Sequence, residues 1–176
     1  MQTWSDSYGE QQRQMHADPE RPYGVMGERY GQAVRDIWIK ATDGKGRVLD
    51  YGCGRGTLGQ SIPVVPVTNY DPFVDKFAAR PEGKFEVVAC TDVLEHVERE
   101  HVPDVLADVF GYSTRAVFLQ VALGPAKKTL PDGRNAHITI LPLSEWVALI
   151  ENTKGIIRNI VRDDHGFICI CEIPGD

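Results

Sequence analysis

The chain has 176 residues, 42% hydrophobic and 25% charged, which suits one sizeable domain and is short for two. A net charge of -6 gives no global attraction to nucleic acid or to anionic membranes, so only a local basic patch can serve such a partner. No apolar run approaches a membrane span, the polar start Met-Gln-Thr-Trp-Ser-Asp is unlike a signal peptide, and the four cysteines show no disulfide framework or zinc spacing. Buried free thiols in a reducing cytoplasm are expected.

In chain order, residues 1–20 are polar, with Gln11, Gln12 and Gln14 clustered, and predict a weak helix broken by Asp18-Pro19 and Arg21-Pro22. Tyr30, Val34, Ile37 and Trp38 fall at helical spacing and predict a helix over about 25–42, closed by Asp43-Gly44-Lys45-Gly46. Residues 47–51 form a first strand. A helix opens near Thr57 and is cut by Pro63 and Pro66, and a second strand covers 67–70. A short helix is expected near 74–79. The continuous apolar run 85–90 predicts a central, buried strand.

Val102, Val105, Leu106, Val109 and Phe110 mark one helical stripe, and 115–122 the next strand. A long Gly-, Pro- and Lys-rich loop follows. Ser144 looks like the N-cap of a helix containing Trp146, Leu149 and Ile150. Strands over 156–162 and 167–173, joined by Asp163-Asp164-His165-Gly166, form an antiparallel hairpin. The alternation predicts an α/β fold, a doubly wound and mostly parallel sheet.

The chemistry concentrates where the first strand meets a glycine turn. Asp50-Tyr-Gly52-Cys53-Gly54-Arg-Gly56 lets backbone approach a ligand closely, and Asp71, twenty-one residues after Asp50, ends the second strand in Tyr-Asp-Pro72. Residues 54–59 are also a literal G-x-G-x-x-G. A dinucleotide site is disfavoured: Asp50 would repel a pyrophosphate, and the chain is short for the second mononucleotide-binding half that a dinucleotide needs. Another nucleotide and a purely structural turn are the alternatives. An Asp-Pro turn is likewise the bland account of Asp71.

The strand and the Asp-x-Gly-x-Gly-x-Gly spacing resemble motif I of class I S-adenosylmethionine (SAM)-dependent methyltransferases, a likeness extending over about 45–173. The resemblance implies a Rossmann-like sheet ending in an antiparallel hairpin. It also implies that Asp50, Gly52, Cys53 and Gly54 hold the methionine end of SAM, that Asp71 and Pro72 hold the ribose, and that Thr91 and Asp92 close the donor site. Only thirteen residues separate Asp71 from Phe85, too few for the helix-strand-helix usual there, so one edge strand should be missing and the order should be 2-1-3-4-6-5. Compact methyltransferases of phage and bacterial genomes are similar, with Leu-Pro-Asp-Gly-Arg-Asn-Ala-His recurring.

Asp92-Val-Leu-Glu95-His96 has ligand spacing, and His137 follows in the long loop. Asp92, Glu95, His96 and His137 together would suit Mg²⁺, Mn²⁺ or Zn²⁺, an arrangement that resembles the metal site of certain small RNA 2′-O-methyltransferases. Packing of the helix start by Glu95 and His96, with His137 as a general base or a mere loop residue, is the alternative. Lys127, Lys128 and Arg134 would hold a phosphate or carboxylate, and Asn135 or His137 would orient or deprotonate the acceptor. His101 and His165 look like surface residues.

Residues 1–45 are expected to form a helical lid or extension, with Tyr8, Gln12, His16, Tyr23 and Arg29 as lid candidates, and 46–176 the SAM-binding core. Packing, or a dimer contact through Trp4 and the helix around Trp38, is the alternative for the extension. The whole suggests a cytoplasmic methyltransferase, monomer or homodimer, acting on an oxygen or nitrogen of a small, phosphorylated or unphosphorylated metabolite. His137 and Asp92 are the expected catalytic residues. A metal-assisted nucleotide or RNA methyltransferase and a non-catalytic SAM-binding regulator remain alternatives.

Overall fold

The computed structural model describes residues 3–18 and 23–175, so the predicted Pro19 and Pro22 breaks lie outside the described residues. Six strands form one sheet in the order β2-β1-β3-β4-β6-β5, the order expected from the sequence. Strands β1 (Val48–Tyr51), β2 (Val67–Tyr70), β3 (Phe85–Thr91) and β4 (Ser113–Ala122) are parallel; β5 (Ile156–Asp163) and β6 (Gly166–Glu172) close the sheet as an antiparallel hairpin. Between β2 and β3 there is only a 3₁₀ turn at Asp75–Phe77. The sheet therefore ends at β2, as the residue count required.

Helices cover both faces because β1 and β3 are apolar on both sides. On one face α2 (Gly27–Thr42) and α3 (Thr57–Ser61) bury Tyr30, Val34, Trp38 and Leu58 against Val48, Val87 and Phe118. On the other, α4 (Val102–Tyr112) and α5 (Leu143–Glu151) bury Val105, Leu106, Val109, Trp146 and Ile150 against Leu49, Val88 and Leu119. Burying a side chain such as Leu106 or Val109 contributes about 1.5–3 kcal/mol, so this two-sided core holds the strand ends in register.

Three local details differ from expectation. The α5 helix starts at Leu143 behind Pro142 rather than at Ser144, because the Pro142 carbonyl already accepts from Glu145 and Trp146 N–H. The helix expected near 74–79 shortens to the 3₁₀ turn at Asp75–Phe77. The segment after β3 turns as 3₁₀ (Leu94–His96) instead of α-helix, which changes the direction of every side chain there.

The N-terminal helix α1 (Asp6–Ala17) lies across the carboxyl ends of the strands. Ser5 caps it and ties it down: its Oγ accepts from Tyr8 N–H and donates to Glu98, and its N–H also donates to Glu98. Tyr8 packs with Leu130 and Ala136 of the loop after β4.

Candidate active site

The β1–β2 pairing brings the glycine turn beside Asp71. Gly52 and Cys53 N–H both donate to the Tyr70 carbonyl, and Gly54 N–H donates to Asp71 Oδ2 at 2.9 Å. The second carboxylate oxygen accepts from Phe73 N–H at 2.9 Å. Gly52 has φ +75°, and a Cβ there would lie 2.3 Å from Val93 Cγ2, so only glycine allows the turn to pass under Val93. Gly54 is equally confined: a Cβ would lie 2.4 Å from the Gly24 carbonyl oxygen, and that carbonyl accepts from Arg55 N–H.

A cavity opens above this turn. Its floor is Gly52, Asp71, Pro72, Phe73, Asp92 and Val93, and its roof is Trp4, Tyr8, Gln12, His16, Tyr23 and Gly24. Of the lid candidates, Tyr8, Gln12, His16 and Tyr23 line it. Arg29 does not, and approaches Asp164 instead. Asp50, Cys53 and Thr91 are buried behind the floor and Gly54 meets the cavity only through its neighbours. Asp50 is 1% exposed, its Oδ2 has no hydrogen-bond partner, and burial, with the Asp71 charge adding to it, pushes its pKa up to about 7. A buried carboxylate oxygen without a partner is costly unless a cationic or donor group reaches it.

A second, wider cavity of about 600 Å³ adjoins the first, and Tyr23, Gly24, Asp92 and His96 border both. Its other walls are Lys127, Lys128 and His137 from the loop after β4, Arg162 at the end of β5, and Asp164 and His165 from the β5–β6 turn. Arg134 is exposed and engaged with Asp132. Asn135 organises the loop, bonding Ala126 N–H and carbonyl and accepting from His137 N–H.

Asp92 sits at the junction in a left-handed conformation, φ +59°, uncommon for a residue with a side chain and costing about 1–3 kcal/mol. Its Oδ1 is 3.9 Å from His137 Nε2. Burial raises the Asp92 pKa, opposed by the charges of His137, His165 and Lys128. Each imidazole is oriented by a carbonyl. His137 Nδ1 is 2.6 Å from Gly124 O and His96 Nδ1 is 2.8 Å from Ala136 O. A carbonyl only accepts, so Nδ1 carries the proton in both and Nε2 presents a lone pair. Burial first, then the His137 charge, pushes the His96 pKa down to about 3, keeping that ring neutral.

One ligand atom from each of Asp92, His96 and His137 lies within 4.8 Å of the other two. Three such ligand atoms facing one another can share a proton or hold a cation. Glu95 stands apart: it is fully buried, with Oε1 accepting from Ala122 N–H at 2.6 Å. The His96 segment is also tied to α1 and Tyr23. Gln12 Nε2–H donates to the Tyr8 oxygen, Tyr8 O–H donates to the His96 carbonyl, and Tyr23 O–H donates to Gln12 Oε1.

Sequence reasoning missed Gly24 and Phe73 as cavity walls and Arg162 beside the lysines. Nothing in sequence spacing brings position 24 onto position 54, whereas Phe73 follows Asp71-Pro72 directly and was within reach.

A family model described as a methyltransferase domain matches residues 20–152. Solved structures share the fold at low identity. A magnesium protoporphyrin IX methyltransferase from Synechocystis with bound SAM is 17% identical, with a TM-score of 0.59 over 97% of this chain and 92% of that one. A 1,6-didemethyltoxoflavin-N1-methyltransferase from Burkholderia thailandensis is 14% identical, TM-score 0.62, over 86% and 80% of the two chains. An amino pentose methyltransferase from Micromonospora echinaspora, with SAM bound, is 10% identical, TM-score 0.64, over 84% and 92%. No curated protein matches the sequence.

Proposed function

Because the chain belongs to the methyltransferase-domain family of class I SAM-dependent enzymes, we propose that it moves a methyl group from SAM to an oxygen or nitrogen of a small anionic metabolite. The observation that carries this reading is the junction of two cavities at Asp92 and His137. The floor cavity suits the donor. Gly52 gives backbone access, Asp71 suits the ribose hydroxyls, and the unpartnered Asp50 Oδ2 suits a cationic amino group. SAM supplies an already activated methyl group, so the residues of this chain mainly approach and orient the acceptor. His137 Nε2, lone pair inward, is the group to take the acceptor's proton, and Asp92 stabilises the imidazolium that results.

The matched structures act on a porphyrin, a toxoflavin precursor and an amino sugar. The acceptor class is therefore argued from this cavity alone. Lys127, Lys128 and Arg162 favour a phosphate or carboxylate on the acceptor. The open second cavity speaks against a regulator that only binds SAM. The direct test is methyl transfer from labelled SAM to a panel of phosphorylated and carboxylated small molecules. Turnover of at least one is expected, and SAM binding with no transfer to any anionic acceptor would overturn the substrate class.

A second reading is favoured by the Asp92, His96 and His137 cluster: a divalent ion held there would bind an acceptor diol and lower the pKa of its hydroxyl, as on a nucleotide or an RNA end. Calorimetric titration with Mn²⁺ or Zn²⁺ should then show a site lost in His96→Ala. No uptake by the wild-type protein would dispose of the ion.

A further inference from the structure

The sheet stops at β2, and the cavity beside Asp71 is walled on that side by Pro72 and Phe73 rather than by another strand. The facing wall is α1. The Trp4 indole lies 5.0 Å from the Phe73 ring, inclined at 67°. Gly9 makes room for it, since a Cβ at position 9 would stand 2.8 Å from Trp4 Cδ1 and 3.4 Å from Phe73 Cε1. A glycine inside a helix is unfavourable on its own account, so its position under the indole has a packing reason. Two turns further along α1, His16 projects into the same cavity, its side chain 10% exposed, with Nε2 3.9 Å from Asp71 Oδ2. That gap is too long for a direct hydrogen bond, yet one hydroxyl oxygen can reach both atoms.

We infer that α1 and the residues leading into it complete the nucleoside half of the donor site, Trp4 with Phe73 receiving the adenine ring and His16 sharing a ribose hydroxyl with Asp71. The inference rests on the SAM reading above and gives the N-terminal helix a specificity role. A flat base needs aromatic or apolar surface, and Trp4 and Phe73 supply it beside the ribose acid. Burial keeps His16 largely neutral, opposed by the Asp71 charge, so the ring offers one bond to a hydroxyl without adding a cation to the site.

The test uses the full chain and S-adenosylhomocysteine in calorimetry, with tryptophan fluorescence alongside. Trp38 and Trp146 are buried in the core, so Trp4 is the indole that should report the ligand. Trp4→Ala should weaken binding about tenfold or more, as expected for loss of base–aromatic stacking. Trp4→Phe should keep most of the affinity while abolishing the fluorescence change. His16→Ala should weaken S-adenosylhomocysteine by about fivefold but leave its 2′,3′-dideoxy counterpart unaffected.

Binding by Trp4→Ala equal to wild type overturns the adenine assignment. Equal weakening of both ligands by His16→Ala overturns the ribose assignment. In either case wild-type binding leaves the donor reading standing, whereas no binding by the wild-type protein removes that reading and the inference with it.

Discussion

In the first cavity, the one proposed for the donor, the floor comes from 50–56 and 71–73, joined by one parallel strand pairing and held largely by backbone hydrogen bonds, with Asp92 and Val93 beside them. In the second cavity, the one proposed for the acceptor, the walls are side-chain tips from the loop after β4, from the end of β5 and from the β5–β6 turn, with Asp92 and His96 between. The first can change little, because a Cβ at Gly52 or Gly54 has nowhere to go. The second can exchange Lys127, Lys128 or His165 without disturbing a strand. A fold built this way keeps its donor and changes its acceptor, as expected where function sits on loops carried by a rigid frame.

The largest expected effect lies at the boundary between the two sides. His137→Ala should lower turnover by about 10²–10⁴-fold, the usual contribution of a positioned acid or base, while leaving S-adenosylhomocysteine affinity unchanged in calorimetry. A matching loss of donor affinity would erase the division between the cavities. On the donor side, Asp71→Ala should cost about 1–3 kcal/mol of donor binding, the range for charge-assisted hydrogen bonds. It also removes the acceptor of Gly54 and Phe73 N–H, so circular dichroism must first show a folded variant. Unchanged affinity in that folded protein would free the ribose from Asp71.

Smaller effects sharpen the contrast. Joint substitution of Lys127 and Lys128 by alanine should raise the acceptor KM by about three- to tenfold and reduce its salt dependence, without touching donor affinity. A salt-independent KM in the wild-type enzyme would argue for a neutral acceptor.

The smallest signal is in stability. Asp50 binds its proton more tightly folded, with a pKa of about 7, than unfolded, where the ordinary value is 3.8. Its contribution is therefore fully present below about pH 4 and is lost as pH rises through about 7. In Asp50→Asn, the melting temperature of the ligand-free protein should fall less between pH 5 and 8 than in wild type. Parallel curves would mean that Asp50 is ionised or solvated in the folded protein.

The sheet was legible because its determinants are local. Strands 48–51 and 85–91 announce themselves by apolar residues between turns, 67–70 is bracketed by Pro66 and Asp71-Pro72, and the count of residues between Asp71 and Phe85 excluded a further strand. The glycine turn and Asp71 were legible for the same reason. The lid contacts were not. The side of α1 that is buried carries Tyr8, Gly9 and Gln12, which no hydrophobic periodicity picks out. The ligand cluster was half legible. Helical spacing grouped Glu95 with Asp92, but Asp92 takes a left-handed conformation and the next residues a 3₁₀ turn, so the two carboxylates part. His137 joins them across a loop, a meeting that depends on Ala136 and Gly124 carbonyls rather than on spacing.

The contact between Gly24 and Gly54 has an evolutionary corollary. Each glycine occupies the space that a side chain on the other would need, and Arg55 N–H binds the Gly24 carbonyl between them. Restoring a side chain at either position alone displaces the opposing backbone. Because the obstacle is main chain on both sides, no substitution at 54 makes room at 24, and the two positions, thirty residues apart, are each held at glycine by the other's backbone. Diversification of this protein by random mutagenesis should recover changes at 24 only in company with shifts of the segment leading into α2, and never as neutral single steps.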